Sequence, residues 1–358
     1  MTIANARWAL KHAWSGASDR AALALCAQAL ARIGVDFVDA VQADEADGVK
    51  LHGFELVEAL RDGQLAIDDL RDVAAREGWA ARIDPRAWRF MAREGAVHGI
   101  PMALHQSNCA WANVRLADAV TAEGPVESID LVAWLERARR AMPKPLAIGR
   151  EAWQVGILFE SLALARLGAE AYRRAFVALD AEAMGGTAMV RVLEALLAVR
   201  EFVDDTRLDV PWRSLLADVS EGRAGVMLMG DWVRASGLAL RRLEVAGLKE
   251  ACIDIVDLFV PVGGSPRSPA VAAALTASDF QGRFAQVKGS APAVADAPGY
   301  RAFAQGADVP SLTFDQCCTV RTKQALLAVV ADHFVARRDA KATAVRLAEV
   351  AFGVRSST

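Results

Sequence analysis

Apolar and polar positions along the chain alternate between a helical and a strand period. Ala22, Leu23, Leu25, Cys26, Ala29, Leu30 and Ile33 recur at the 3.6-residue spacing, and Asp19 stands where it can cap, so a helix is predicted over residues 20–33. Residues 3–8 read as a strand before it, with a Gly/Ser loop at 14–18, and Gly34 ends the helix ahead of a strand at 35–41. Short helices are predicted over 55–61 and 68–77, and a strand entered by a turn over 98–105. Residues 129–141 are amphipathic, and Pro143 and Pro145 close that stretch because neither residue fits a helix interior. Three Ala- and Leu-rich helices follow at 152–167, 169–179 and 187–202. Short apolar runs predict strands at 225–229 and 253–262, the second closed by Gly263-Gly-Ser-Pro266. Helices over 270–287, 323–337 and 340–352 complete a helix-dominated α/β pattern, and no period of 20–50 residues repeats, which excludes a solenoid.

Composition narrows the class. The chain has 358 residues, 54% of them hydrophobic, enough for one large core or two medium ones. A net charge of −3 with both signs interspersed argues against binding nucleic acid through phosphate contacts. The longest apolar runs, 226–229 and 325–331, are far below the ~18–20 residues that span a bilayer, so a membrane-spanning chain is not expected. Residues 1–14 include Arg7, Lys11 and His12 and show no apolar signal core, which predicts a cytoplasmic location if Met1 is the native start. Cys26, Cys109, Cys252, Cys317 and Cys318 are odd in number and form no Cys-x-x-Cys pair, so buried thiols are expected rather than disulfides or a metal site.

No dinucleotide, phosphate-loop or nucleophile-elbow motif occurs, so no cofactor and no catalytic residue is expected. Six polar or aromatic residues instead sit at the ends of elements: Trp14, His52, His105, Asp231, Trp232 and Lys288. An indole stacks on the C–H face of a sugar ring, and a neighbouring carboxylate accepts hydrogen bonds from its hydroxyls. Trp232 beside Asp231, directly after a buried strand, suits that chemistry, and Trp14 on its loop offers a second ring. The plainer alternatives stand beside these: Trp232 as a plug of the core edge, His105 as a structural histidine, Lys288 as a surface lysine.

Three collinear segments resemble the extracellular solute-binding proteins of carbohydrate ABC importers, specifically the glucose/mannose-type branch. Gly99-Ile-Pro-Met-Ala-Leu-His-Gln-Ser-Asn-Cys-Ala-Trp-Ala-Asn113 is similar to the family's G-V-P-V-N-V-H-R-x-N-x-x-W-x-N. Glu221-Gly-Arg-Ala-Gly-Val-Met-Leu-Met-Gly-Asp-Trp232 is similar to N-G-K-A-G-M-x-x-M-G-D-W. Phe280-Gln-Gly-Arg-Phe-Ala-Gln-Val-Lys-Gly-Ser-Ala-Pro292 is similar to F-Q-x-x-F-N-x-x-K-G-S-x-P. Residues 51–58 and 145–176, with Trp153-Gln154, match more weakly.

The resemblance implies an α/β, helix-rich, two-lobed periplasmic-binding-protein-like II fold with hinge strands, lobe 1 from 1–108 plus 262–308 and lobe 2 from 109–261 plus 309–358. It implies a sugar-like solute held in an interlobe cleft, a permease partner and a periplasmic location if the chain is exported, and a monomer. In it Trp232 resembles the stacking tryptophan, Trp14 one of a tryptophan pair, Lys288 a hydroxyl-binding lysine and His105 a cleft-side histidine, while His52 stands where the family has a lysine. The departures are specific: Ala13 replaces the second tryptophan, Ser18 a loop glutamate and Phe314 a late histidine. Two segments are expected to be missing, a strand-helix stretch between Asp36 and Lys50 and an Asn-Val-Asp-Ser-Phe strand after Pro266. A non-exported ligand sensor, or an enzyme with His52 or His105 as base, are the alternatives on the same scaffold.

Overall fold

The computed structural model describes residues 6–39, 46–249, 251–300 and 308–355. Its strands in chain order are β1 (Ala6–Lys11), β2 (Val35–Asp39), β3 (Gly48–His52), β4 (Ala92–Arg93), β5 (Ala96–Val97), β6 (Ile100–Gln106), β7 (Cys109–Asn113), β8 (Val226–Met229), β9 (Leu240–Leu243), β10 (Cys252–Pro261) and β11 (Asp308–Pro310). Among the described residues the chain forms two compact units. The first takes those of Met1–His105, Trp232–Ser236 and Ile255–Ala302, and the second those of Gln106–Asp231, Gly237–Asp254 and Phe303–Thr358. The division expected from sequence differs from these units at Gln106–Asn108, Trp232–Ser236, Ile255–Pro261 and Asp308, and Asp257–Pro261 ladder antiparallel to β3 in the first unit.

In the first unit β1 lies between β2 and β3, parallel to both, and β10 pairs antiparallel to β3. The helix Ala17–Ala31 follows β1, and Asp19 sits in its first turn, accepting the backbone N–H groups of Gly16 at 2.8 Å and Ser15 at 3.2 Å. Trp8, Leu10, Leu30, Leu56, Phe259 and Phe284 fill the core under this sheet. Gly48 has to be glycine, because a Cβ there would stand 2.5 Å from Cζ2 of the buried Trp8 ring. The single helix predicted over 270–287 is two, Ser268–Leu275 and Ser278–Lys288. Gln281 makes the break stable by donating to the carbonyls of Leu275 at 2.7 Å and Pro101 at 2.8 Å.

The second unit contains the antiparallel sheet β8-β7-β9 and the parallel pair of β11 with Cys252–Asp254. Its long helix, Ala152–Tyr172, is interrupted at Gly168, whose φ of 77° is left-handed. Phe159 and Tyr172 pack their rings 5.7 and 4.8 Å from Phe176. All five cysteines are buried and unbridged. No helix among the described residues is long and apolar enough to cross a membrane.

Candidate functional site

The most concentrated polar chemistry of the first unit lies where β3 and β10 run side by side. Asp257 is the cross-strand partner of His52, and Phe259 that of Lys50, so all four side chains project from one face of the ladder. β10 is buried along its whole length, and Asp257 is one of two carboxylates, with Asp254, in a strand whose other residues are apolar. Lys50 Nζ meets its Oδ1 at 2.8 Å, with both side chains at or below 10% exposure. His52 Nε2 is 3.4 Å from the same oxygen, and its Nδ1 is 3.2 Å from Glu55 Oε2. Glu55 also accepts the His52 backbone N–H at 2.7 Å, the reciprocal half of a capping box that starts the helix Gly53–Asp62.

His105, at the end of β6, brings Nε2 to 3.8 Å from Asp257 Oδ2. Its ring stands edge-on to Trp232, with centroids 5.7 Å apart and planes at 82°. Burial alone would raise the pKa of Asp257. The positive charges of Lys50 and, behind it, His52, His105 and Lys288 outweigh that and hold the carboxyl below the usual carboxylate range. Glu55 is likewise raised by burial but brought down to about 2 by its bonds to His52 and by the charges of His52 and Lys50.

Trp14 and Lys288 lie beside Phe259 of the same ladder. The indole of Trp14 packs 5.5 Å from Phe259 and 6.3 Å from Phe284, and Lys288 Nζ lies 3.9 Å from its ring centroid. The same ammonium pairs with Asp19 Oδ1 at 2.5 Å. His12 fixes the turn by accepting the Trp14 backbone N–H at Nδ1, 3.0 Å away, while its Nε2 pairs with Asp39 at 2.8 Å. A ring face expected to meet ligand thus carries an internal ammonium.

Five of the six residues singled out in the sequence, Trp14, His52, His105, Trp232 and Lys288, are brought together in the first unit, linked through Asp257 and its neighbours. Asp231 is buried, opens the tight turn Asp231–Ser236 and belongs to the second unit. Sequence reasoning missed Asp257 and Lys50. Asp257 lies within the strand expected over 253–262, but its carboxylate was not singled out there. Lys50 supplies the ammonium two residues before His52 on the same face, and Asp19 supplies a carboxylate one residue after Ser18. Of the stretch between Asp36 and Lys50, residues 40–45 lie outside the described residues.

This arrangement offers an anionic acceptor, an ammonium, two imidazoles and an indole within one unit. Carboxylate, ammonium and imidazole groups can exchange hydrogen bonds with a polar solute, and an indole can stack on an apolar face.

Comparison with known proteins bears on the fold and on relatedness. No family model matches the chain. It is 30% identical over 283 residues to a protein of Rhizobium meliloti (strain 1021) named a probable sugar-binding periplasmic protein, an alignment covering 75% of this chain and 64% of that one. A protein of the same name from Brucella suis biovar 1 (strain 1330) is 29% identical over 281 residues, 75% of this chain and 63% of its own length. The chain therefore spans somewhat under two thirds of these relatives. Among solved structures, a chitin oligosaccharide binding protein superposes with a TM-score of 0.79 at 15% identity, covering 98% of this chain and 99% of that one. The bacterial solute receptor AcbH, described as having an exclusive preference for β-D-galactopyranose, gives 0.79 at 14% identity with 99% of each chain covered. The fold is that of the periplasmic-binding-protein-like solute receptors.

Proposed function

We propose that this chain, a homologue of sugar-binding periplasmic proteins with the fold of solute receptors, is the substrate-binding component of a carbohydrate ABC importer. The observation that carries the reading is the convergence of His105, His52 and Lys50 on one buried carboxylate, Asp257, with Trp232 packed against the edge of His105. In this reading Trp232 stacks on the C–H face of a sugar ring, while Asp257 and the two imidazoles exchange hydrogen bonds with its hydroxyls. Lys288 is held by Asp19 and the Trp14 ring and contributes by shaping the wall beside Phe259. The chain acts by binding, in the periplasm, and hands its solute to a permease.

A thermal-shift screen over monosaccharides and disaccharides tests the reading. A sugar at 100 times its dissociation constant adds ~2.7 kcal/mol to the stability of the folded state, well within detection. The expected result is at least one sugar that raises the melting midpoint of the wild-type chain and fails to raise that of Trp232→Ala. A screen in which no sugar moves the midpoint overturns the assignment. Fractionation of cells expressing the natural gene tests the location, and a product retained in the cytoplasm contradicts the importer role.

A further inference from the structure

One buried carboxyl joins two segments of the second unit that both bond to a third. Glu160, fully buried in the helix Ala152–Tyr172, accepts the Ser107 hydroxyl at 3.2 Å, one position beyond the end of β6. From the turn after β11 it accepts the Ser311 hydroxyl at 2.9 Å and the N–H groups of Leu312 at 2.9 Å and Thr313 at 3.3 Å. Both segments also reach the start of β10. The Ser107 N–H donates to the Ile253 carbonyl at 2.9 Å, and the Ser311 N–H to the Asp254 carbonyl at 3.0 Å. β6 and β10 pair with each other, and each carries a residue of the solute site: His105 lies two residues before Ser107, and Asp257 three after Asp254.

The two oxygens of this carboxyl are not equivalent. Oε2 faces the Leu312 and Thr313 N–H groups, which can only donate, and the Tyr172 hydroxyl at 3.2 Å. Oε1 faces the hydroxyls of Ser107 and Ser311, which can also accept. A proton on Glu160 therefore sits on Oε1 and is given to a serine oxygen. Ser311 Oγ already accepts the Phe314 N–H at 3.2 Å, and its own proton lies between the two Glu160 oxygens, at 2.9 and 3.1 Å. Ser107 Oγ has a second acceptor, the Ile253 carbonyl at 3.5 Å, so it is the hydroxyl that can turn. The ionised carboxylate holds the Ser107 proton. The neutral acid gives its own proton to Ser107 Oγ and turns the Ser107 proton toward Ile253, whose carbonyl then takes both the N–H and the O–H of Ser107.

The titratable groups around this carboxyl are Tyr172 at the end of its own helix, Cys317 in the turn after β11 and Asp254 on β10. Tyr172 and Cys317 both donate to the Pro310 carbonyl, at 3.2 and 3.1 Å, and burial holds the Tyr172 pKa well above its usual value, so the phenol stays neutral. Burial raises the Glu160 pKa to about 7, which leaves both of its forms accessible near neutrality. We propose that Glu160 is a positioning residue for solute binding: its protonation turns the Ser107 hydroxyl onto Ile253, ties β6 to β10 and sets His105 against Asp257, so that the neutral form binds solute more tightly. By reciprocity the solute draws a proton onto Glu160. This rests on the reading of the chain as a sugar receptor.

Calorimetric titration of the full chain with glucose, galactose, maltose, cellobiose and xylobiose tests it, at about pH 5 and about pH 8. Wild type is compared with Glu160→Gln, which keeps the donor and acceptor of the neutral acid at every pH. The site imidazoles are common to both chains, so the ratio of their affinities isolates Glu160. The expected result is a wild-type affinity that falls at least threefold relative to Glu160→Gln between the two pH values. In buffers of different protonation enthalpy, wild type should also take up more protons per sugar bound near pH 7 than the variant does. Ser107→Ala keeps the titrating carboxyl and removes the hydroxyl that turns, so its affinity should follow the Glu160→Gln profile; it carries the comparison alone if Glu160→Gln folds poorly. A ratio that changes less than threefold, or a Ser107→Ala affinity that falls as wild type does, overturns the role of Glu160 and leaves the receptor assignment standing. If wild type binds none of these sugars at either pH, both fall.

Discussion

His105 presents its imidazole edge-on to Trp232 at 5.7 Å and 82°, and reaches Asp257 at 3.8 Å with the same ring. One side chain therefore orients the indole and faces the carboxylate. An edge-to-face pair contributes ~0.5–1.5 kcal/mol beyond its burial. His105→Ala should cost about that much affinity for the solute even though the aromatic ring remains, and Trp232→Phe should retain more binding than Trp232→Ala. Isothermal titration with the sugar found in the stability screen checks the order; equal affinity for Trp232→Phe and Trp232→Ala would remove the stacking role.

Asp257 and Lys50 form a pair whose partners are both largely withdrawn from water. Removing one side of such a pair leaves the other buried and uncompensated, a loss of ~3–5 kcal/mol, whereas replacing both by apolar residues of similar size is far milder. Asp257→Asn should therefore lower the urea midpoint strongly, and the double variant Lys50→Met/Asp257→Leu should recover most of the stability without recovering sugar binding. Recovery of binding in the double variant would show that the pair is structural alone.

How far the sequence carried differs by residue, and for physical reasons. Trp232, His105 and Lys288 were legible because each lies in a segment with its own motif. Asp257 was not, because β10 is buried on both faces and so shows no alternation that would set Asp257 apart from Asp254 and the apolar residues around them. β3 was missed since all but Gly48 of its five residues are half-buried and its register is set by β1 and β10 rather than by its own pattern. The break between Leu275 and Ser278 was invisible in an Ala-rich stretch, because the group that satisfies the freed Leu275 carbonyl is the side chain of Gln281 in the next helix. The kink at Gly168, by contrast, was legible, since a single glycine between two apolar-periodic stretches has a local cause.

That kink gives a separate check. Gly168 has φ of 77° and no atom within 4 Å of where a Cβ would stand, so the only obstacle to a side chain there is the backbone conformation. Gly168→Ala should destabilise by ~1–3 kcal/mol, because a positive φ combined with an extended ψ is a region essentially reserved to glycine. Gly48→Ala meets both the Trp8 ring at 2.5 Å and a packed core, and should cost about 1–3 kcal/mol through overpacking. Denaturant midpoints of the two variants separate the mechanisms when paired with Trp8→Phe, which should relieve Gly48→Ala and leave Gly168→Ala unchanged.

The pH dependence of stability should be governed in part by Glu160. Its carboxyl is fully buried, and its partners among the described residues are hydroxyls and backbone N–H groups rather than a cation. Burial raises the pKa from 4.5 to about 7, even though Ser311, Thr313, Ser107 and Leu312 all donate to it and favour the anion. Tyr172, 3.2 Å away, has its own pKa pushed up by burial and by the neighbouring Glu160 charge. Between pH 4.5 and 7 the folded chain therefore holds a proton on Glu160 that the unfolded chain has released. Stability from this group is full below pH 4.5 and is lost as pH rises through 7. The loss above pH 7 is on the order of 3 kcal/mol, because a tenfold difference in proton affinity between the folded and unfolded chain is worth ~1.4 kcal/mol. Glu160→Gln has no proton to lose, so the stability of wild type relative to this variant should be greatest below pH 4.5 and fall as the pH rises through 7, read from urea midpoints at matched ionic strength. A difference that grows with pH would mean that the surrounding donors stabilise the anion more than burial penalises it.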